Sequence, residues 1–149
     1  MASIRSTLVA VAVTAAALAG TTVLAAPASA AASVTPGTVC GSGYKTVNSV
    51  PVGTKGTVYL TYNSANGKNC VVTIRKTTGT AVDMSAYLYI PDTDKGDGDY
   101  GKYTSYAGPA YAYGKGHCVD WGGSIGNVSV DVTGSNCAAM KEHRTTSIR

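Results

Sequence analysis

Between residues 82 and 90 the chain alternates strictly. Val82, Met84, Ala86, Leu88 and Ile90 occupy one phase, and Asp83, Ser85, Tyr87 and Tyr89 the other. A period of two puts the first set on one face of a β-strand and the second on its opposite face. The same alternation runs through 57–63, with Val58, Leu60 and Tyr62 against Thr57, Tyr59 and Thr61, and through 127–132, with Val128, Val130 and Val132 against Asn127, Ser129 and Asp131. Residues 70–75 (CVVTIR) form a denser β-branched run, 44–50 (YKTVNSV) a weaker one, and Tyr111 and Tyr113 share one phase of a further strand. Turn residues separate these runs at 51–56, at 63–68 with Asn66-Gly67, at 77–79, and at Trp121-Gly122-Gly123-Ser124-Ile125-Gly126. No stretch carries the helical period. The pattern predicts an all-β fold, a small antiparallel β-sandwich or meander of six to eight short strands.

The first 30 residues follow a different rule. One cation, Arg5, precedes an uncharged apolar run from Leu8 to Ala19, and Ala28-Ser29-Ala30 offers a small-x-small cleavage site. This predicts a signal peptide over 1–30 and an exported protein. Thr7–Ala26 is uncharged and close to the ~20 residues that span a bilayer, but Ala and Thr are weakly apolar and no stop-transfer cations follow. The mature protein is therefore expected to have no integral membrane segment. Residues 31–39 read as a flexible leader, 40–137 as one β domain, and 138–149 as a charged, disordered tail.

The net charge of +4 resides mostly at the two ends. Arg5 leaves with the signal, and Lys141, Glu142, Arg144 and Arg149 lie in the tail, so the domain itself is left at +1. No basic stripe is visible, and no nucleic-acid partner is expected. Two His and one Glu leave few groups for acid/base or metal chemistry, which argues against an enzyme and against any cofactor.

All four Cys stand in the exported part without a Cys-x-x-Cys pair, so disulfides are expected and metal binding is not. In a meander the first and third strands start at the same end, which brings Cys40 to Cys70. Cys118 opens a strand and Cys137 follows the next, which brings those two to one end of a hairpin. The expected pairing is Cys40 with Cys70 and Cys118 with Cys137.

Three motifs invite a chemical reading. Gly122-Gly123-Ser124-Ile125-Gly126 matches Gly-x-Ser-x-Gly, with Asp131 and His143 following, but that motif needs a strand-to-helix turn in an α/β domain, and none is predicted. The run from Asp92 to Asp99 has the composition of a calcium loop but fails the EF-hand spacing at Gly96, Asp97 and Tyr103, leaving a weak site or a solvated loop tip. His117 adjoins Cys118, whose expected disulfide removes the thiolate that a Cys/His nucleophile requires.

The Tyr residues are the better candidates for a binding site. Tyr59, Tyr87 and Tyr89 occupy the non-core phase of their strands, and Tyr111 and Tyr113 share one phase of another. Convergence on one face would make an aromatic platform able to stack on sugars or on a cell-wall or spore-surface polymer. Two alternatives stand beside this structural role: a carbohydrate-binding module, and a hydrolase inhibitor presenting a long loop from Pro91 to Pro109.

Four segments carry a family resemblance: Cys40-Gly-Ser-Gly-Tyr44, Gly56-Thr-Val-Tyr-Leu-Thr-Tyr-Asn63, Gly67-Lys-Asn-Cys-Val-Val72 and, most distinctive, Cys118-Val-Asp-Trp-Gly-Gly123. In these the chain resembles the spore-associated protein A family of streptomycetes and related actinobacteria. The resemblance spans nearly all of 40–137. It implies a secreted protein found at the spore or cell surface, without catalytic residues to carry over. Such a protein is expected to end close to its last Cys, so Ala138–Arg149 is a departure that leaves His143 without a role.

Overall fold

The computed structural model describes residues 33–137. The expected signal peptide and charged tail lie outside the described residues.

Among the described residues, eight strands form two four-stranded antiparallel sheets. They are β1 (Lys45–Val52), β2 (Gly56–Asn63), β3 (Lys68–Arg75), β4 (Val82–Ile90), β5 (Lys95–Tyr103), β6 (Tyr106–Tyr113), β7 (Val119–Ile125) and β8 (Val128–Ser135). Sheet 1 has the order β1-β2-β3-β6 and sheet 2 the order β5-β4-β7-β8. The alternation over 82–90 holds residue by residue: Met84, Ala86, Leu88 and Ile90 are buried, while Asp83 and Tyr89 are exposed. These side chains meet Val58, Leu60 and Val71 of sheet 1 around Trp121, which is wholly buried. The Trp121 indole N–H donates to Ser135 Oγ at 2.8 Å, and that hydroxyl donates to the Val119 carbonyl at 3.0 Å. The one polar group of the largest core residue thus has its partner, as a buried N–H requires.

The segment 121–126, expected as a turn, is mostly strand. β7 runs through both Gly122 and Gly123, and only Gly126-Asn127 turns, with Gly126 at φ 60°. Packing explains the glycines. Thr73 of sheet 1 donates its hydroxyl to the Ser85 carbonyl of sheet 2 at 2.7 Å, and a Cβ on Gly123 would fall inside that bond. The sheets approach closely here because one strand carries no side chain.

Residues 91–109, expected as a long loop, are likewise ordered. A single 3-10 turn (Pro91–Thr93) leads into β5, which pairs with β4 along its whole length, and β6 begins at Tyr106. This removes the loop that the inhibitor reading would present. β5 closes sheet 2 while β6 closes sheet 1, so two edges meet, and carboxylates bridge them. Asp99 Oδ2 accepts from the Gly108 N–H at 2.6 Å and Asp97 Oδ2 from the Tyr111 N–H at 2.8 Å. Amides of an edge strand that would otherwise lack a ladder partner are satisfied by side chains of the neighbouring sheet.

Part of the expected leader is folded too. Pro36–Cys40 makes a short helix, α1, capped by Thr35 and Thr38 in a reciprocal box, with Pro at the first helical position. Cys40 is bonded to Cys70 of β3, which holds α1 on the outer face of sheet 1, and Cys118 is bonded to Cys137 at one end of the β7–β8 hairpin.

Candidate aromatic binding face

The alternation that buries Met84, Ala86 and Leu88 turns Ser85, Tyr87 and Tyr89 outward. Register then fixes what lies beside them. Ser85 is opposite Tyr100 on β5 and Ser124 on β7; Tyr87 is opposite Gly98 and Gly122; Tyr89 is opposite Gly96 and Asp120. On β8, Asp131 is opposite Gly122 and Ser129 is opposite Ser124. The outer face of sheet 2 is therefore a lattice of Tyr, Gly, Ser and Asp.

The glycines let the rings lie down. A Cβ on Gly122 would stand 2.9 Å from Tyr87 Cε1, and one on Gly98 would stand 2.6 Å from Tyr100 Cε2. Tyr87 crosses β7 above Gly122 and donates its hydroxyl to Asp131 Oδ1. Tyr89 donates to Asp94 Oδ1 at 2.8 Å. Burial and the bond to Asp131 hold the Tyr87 phenol above the usual tyrosine range, and the bond to Asp94 raises that of Tyr89. Both phenols stay protonated donors, and their ring orientations are fixed before any ligand arrives. Tyr89 is 38% and Tyr100 69% exposed. Pre-set aromatic rings beside carboxylate acceptors suit a saccharide, which offers C–H faces for stacking and hydroxyls for hydrogen bonds.

Of the five Tyr that sequence phase groups together, the structure brings only Tyr87 and Tyr89 to this face. Tyr59, Tyr111 and Tyr113 belong to sheet 1. Tyr111 holds α1: its hydroxyl donates to the Cys40 carbonyl at 2.8 Å, and its ring lies 5.5 Å from that of Tyr44. Tyr59 is half-buried in the same small cluster with Val72 and Ile74. Tyr113 is exposed at the end of β6 and leans on Gly67. Tyr100 lies outside the expected set because the glycines and aspartates around it predict a loop, although Gly98, Tyr100 and Lys102 do share one phase.

The other chemical motifs resolve into structure. Ser124 lies within β7 with its hydroxyl 2.8 Å from that of Ser85, at no strand-to-helix turn, and His143 lies outside the described residues. The four Asp of 92–99 do not converge. Asp92 meets His117 Nδ1 at 3.1 Å, Asp94 takes Tyr89, Asp97 takes Tyr111 N–H, and Asp99 takes Gly108 N–H and the Tyr103 hydroxyl. Among the described residues no three His, Cys, Asp or Glu are placed to hold a metal ion, and no helix is long and apolar enough to cross a membrane.

No family model matches the chain, and no solved structure matches it. Among curated proteins it is similar to Spore-associated protein A of Streptomyces coelicolor, with 51% identity over 140 residues that cover 94% of this chain and 91% of the relative. With that identity along nearly the whole of both chains, the protein belongs to the spore-associated protein A family.

Proposed function

We propose that this protein is an exported, non-catalytic module of the spore or cell surface, which attaches to an envelope polymer through the outer face of sheet 2. The observation that carries the reading is the arrangement of Tyr87, Tyr89 and Tyr100, laid flat over glycines with two of the three hydroxyls held by carboxylates. A face that needed only solubility would not require glycine beneath its aromatic rings. The relative's name links that protein to the spore, and the apolar N-terminal run of this chain supplies a route of export. The non-catalytic part of the reading rests on Ser124 being committed to Ser85 within a strand and on both disulfides leaving no free thiol among the described residues.

Pull-down on isolated spore walls, peptidoglycan and chitin tests the reading. Retention that falls about tenfold or more in the Tyr89→Ala, Tyr100→Ala double variant is expected, which corresponds to a loss of about 1.4 kcal/mol shared by two rings. Undiminished retention of a folded double variant overturns it.

A further inference from the structure

The domain's near-neutral total conceals a segregation of charge. From Ser33 to Ala81 there are five cations and no carboxylate, whereas from Val82 to Cys137 seven Asp stand against Lys95, Lys102 and Lys115. Because β1, β2 and β3 belong to sheet 1 and β4, β5, β7 and β8 to sheet 2, a division along the chain becomes a division between the sheets.

Three of the five cations gather at one end of sheet 1. Lys55 sits in the β1–β2 turn, Arg75 ends β3 and Lys76 follows it. The Lys76 N–H donates to the Lys55 carbonyl at 2.8 Å, so the two lysine-bearing segments run side by side. Arg75 is fixed by donating to the carbonyls of Thr80 and Thr104, each at 2.9 Å, and Lys55 Nζ donates to Asn127 Oδ1 at 2.7 Å. All these acceptors are neutral. Among the described residues none of the three cations pairs with a carboxylate, and Asp83, whose carbonyl accepts from nearby Gly126, gives its carboxylate to Lys102 at 3.0 Å. Two adjoining clefts of ≈ 320 and ≈ 470 Å³ open here and share Thr54, Arg75 and Lys76. The larger is also lined by Tyr59 and Ile74 from the outer face of sheet 1. Uncompensated cations in a concave site attract anions more strongly than the same charges spread over a convex surface.

We infer that this cleft binds an anionic glycopolymer, with its acid groups on Lys55, Arg75 and Lys76 and its sugar or polyol backbone along Tyr59 and Ile74. The guanidinium, already held in place by carbonyls, offers planar donors to phosphate or carboxylate oxygens, and the lysines add point charges that follow a repeating acid. The site is separate from the Tyr face of sheet 2, so one domain is equipped for two different polymers. A module with an acid-binding cleft on one sheet and a sugar-stacking face on the other would cross-link an envelope rather than merely rest on it.

The test is binding of the exported chain to three soluble polymers at low and at physiological salt: a polyglycerol phosphate, a polyuronate and neutral dextran. Binding to at least one acidic polymer, weakened by salt and absent with dextran, is expected; the acidic polymer preferred identifies phosphate or carboxylate as the acid recognised. Charge reversal with Lys55→Glu and Lys76→Glu is expected to weaken binding by roughly tenfold or more, whereas Lys68→Glu with Lys115→Glu, an equal change in net charge made elsewhere, leaves it within about twofold. Lys76→Glu alone, which spares the Lys55 contact with Asn127, is expected to give part of the loss without loss of fold. Equal weakening by both double variants, or equal binding to dextran, overturns the inference. Sedimentation velocity supplies a further arm: if the cleft is filled by the acidic face of a second copy, the chain self-associates at low salt and the Lys55, Lys76 variant does not, which also overturns it.

Discussion

Replacing Gly123 by Ala inserts a methyl group between the two sheets where Thr73 of sheet 1 bonds to the Ser85 carbonyl of sheet 2. The new Cβ falls within van der Waals contact of Thr73 Oγ1 and of the Ser85 carbonyl oxygen, and 3.2 Å from Val58 Cγ2. Thr73 is wholly buried, and its hydroxyl has Ser85 as its partner across the core. Making room for the methyl breaks that bond in a place water does not reach, at a cost of about 1–3 kcal/mol. Overpacking of the surrounding side chains adds about 1–3 kcal/mol. A loss of roughly 2–6 kcal/mol is expected, a large share of the ~5–15 kcal/mol that holds a domain together. Urea unfolding under oxidising conditions, followed through Trp121 fluorescence, measures it as a lower midpoint at unchanged slope. Gly37→Ala is the control, since its Cβ would meet nothing closer than 4.0 Å. In a Thr73→Ala background the Gly123→Ala cost should shrink, because the oxygen it collides with is gone. A Gly123→Ala protein within ~0.5 kcal/mol of the parent, the scale of an ordinary surface change, refutes the reasoning.

Further outcomes follow from the same contacts. Changing Cys40 and Cys70 together to Ala opens a 30-residue loop and should cost about 3–4 kcal/mol in thermal or urea unfolding, with α1 losing its anchor. Asp97→Ala and Asp99→Ala should speed hydrogen exchange at Tyr111 and Gly108 respectively, with little change at β2 amides, because each removes one bridge between the sheet edges. Tyr87 binds its proton more tightly folded than unfolded, so its contribution is fully present below the unfolded value of 10.0 and is lost as pH rises above it. Unfolding free energy measured from pH 9 upward should therefore fall, and Tyr87→Phe should flatten part of that fall.

What could be read from the chain was what the local period encodes. β4 shows its two faces in nine residues because each position is determined by core on one side and solvent on the other. β5 and β7 were obscured for the same reason in reverse. Gly96, Gly98, Gly122 and Gly123 look like turn residues, yet each is small because something lies against it: β4 at Leu88 and Tyr89 against Gly96, the ring of Tyr100 two residues on over Gly98, Tyr87 over Gly122, and Thr73 of sheet 1 against Gly123. Asp97 and Asp99 look like a solvated loop, yet they stand in for a missing strand beside β6. The pairing of the cysteines was legible because strand direction in a meander fixes which ends meet. The binding face was legible only by half. Phase put Tyr87 and Tyr89 outward, but which sheet each strand joins is a property of topology, so Tyr59 and Tyr111 fell on the opposite side of the sandwich and Tyr100 was missed. Charge segregation was open to inspection in the linear sequence, with no acid before Asp83, but it acquires meaning only once β1, β2 and β3 are seen to share a sheet.

The most direct test of the central claim is an amide and aromatic NMR titration of residues 33–137 with soluble oligosaccharides released from the spore or cell wall. The account predicts saturable shifts at Tyr87, Tyr89 and Tyr100 and at the glycines and carboxylates beside them, with neutral fragments leaving Tyr59 and Tyr111 unmoved. Shifts confined to sheet 1, or none on β4 and β5 at concentrations where the intact wall retains the protein, would contradict it.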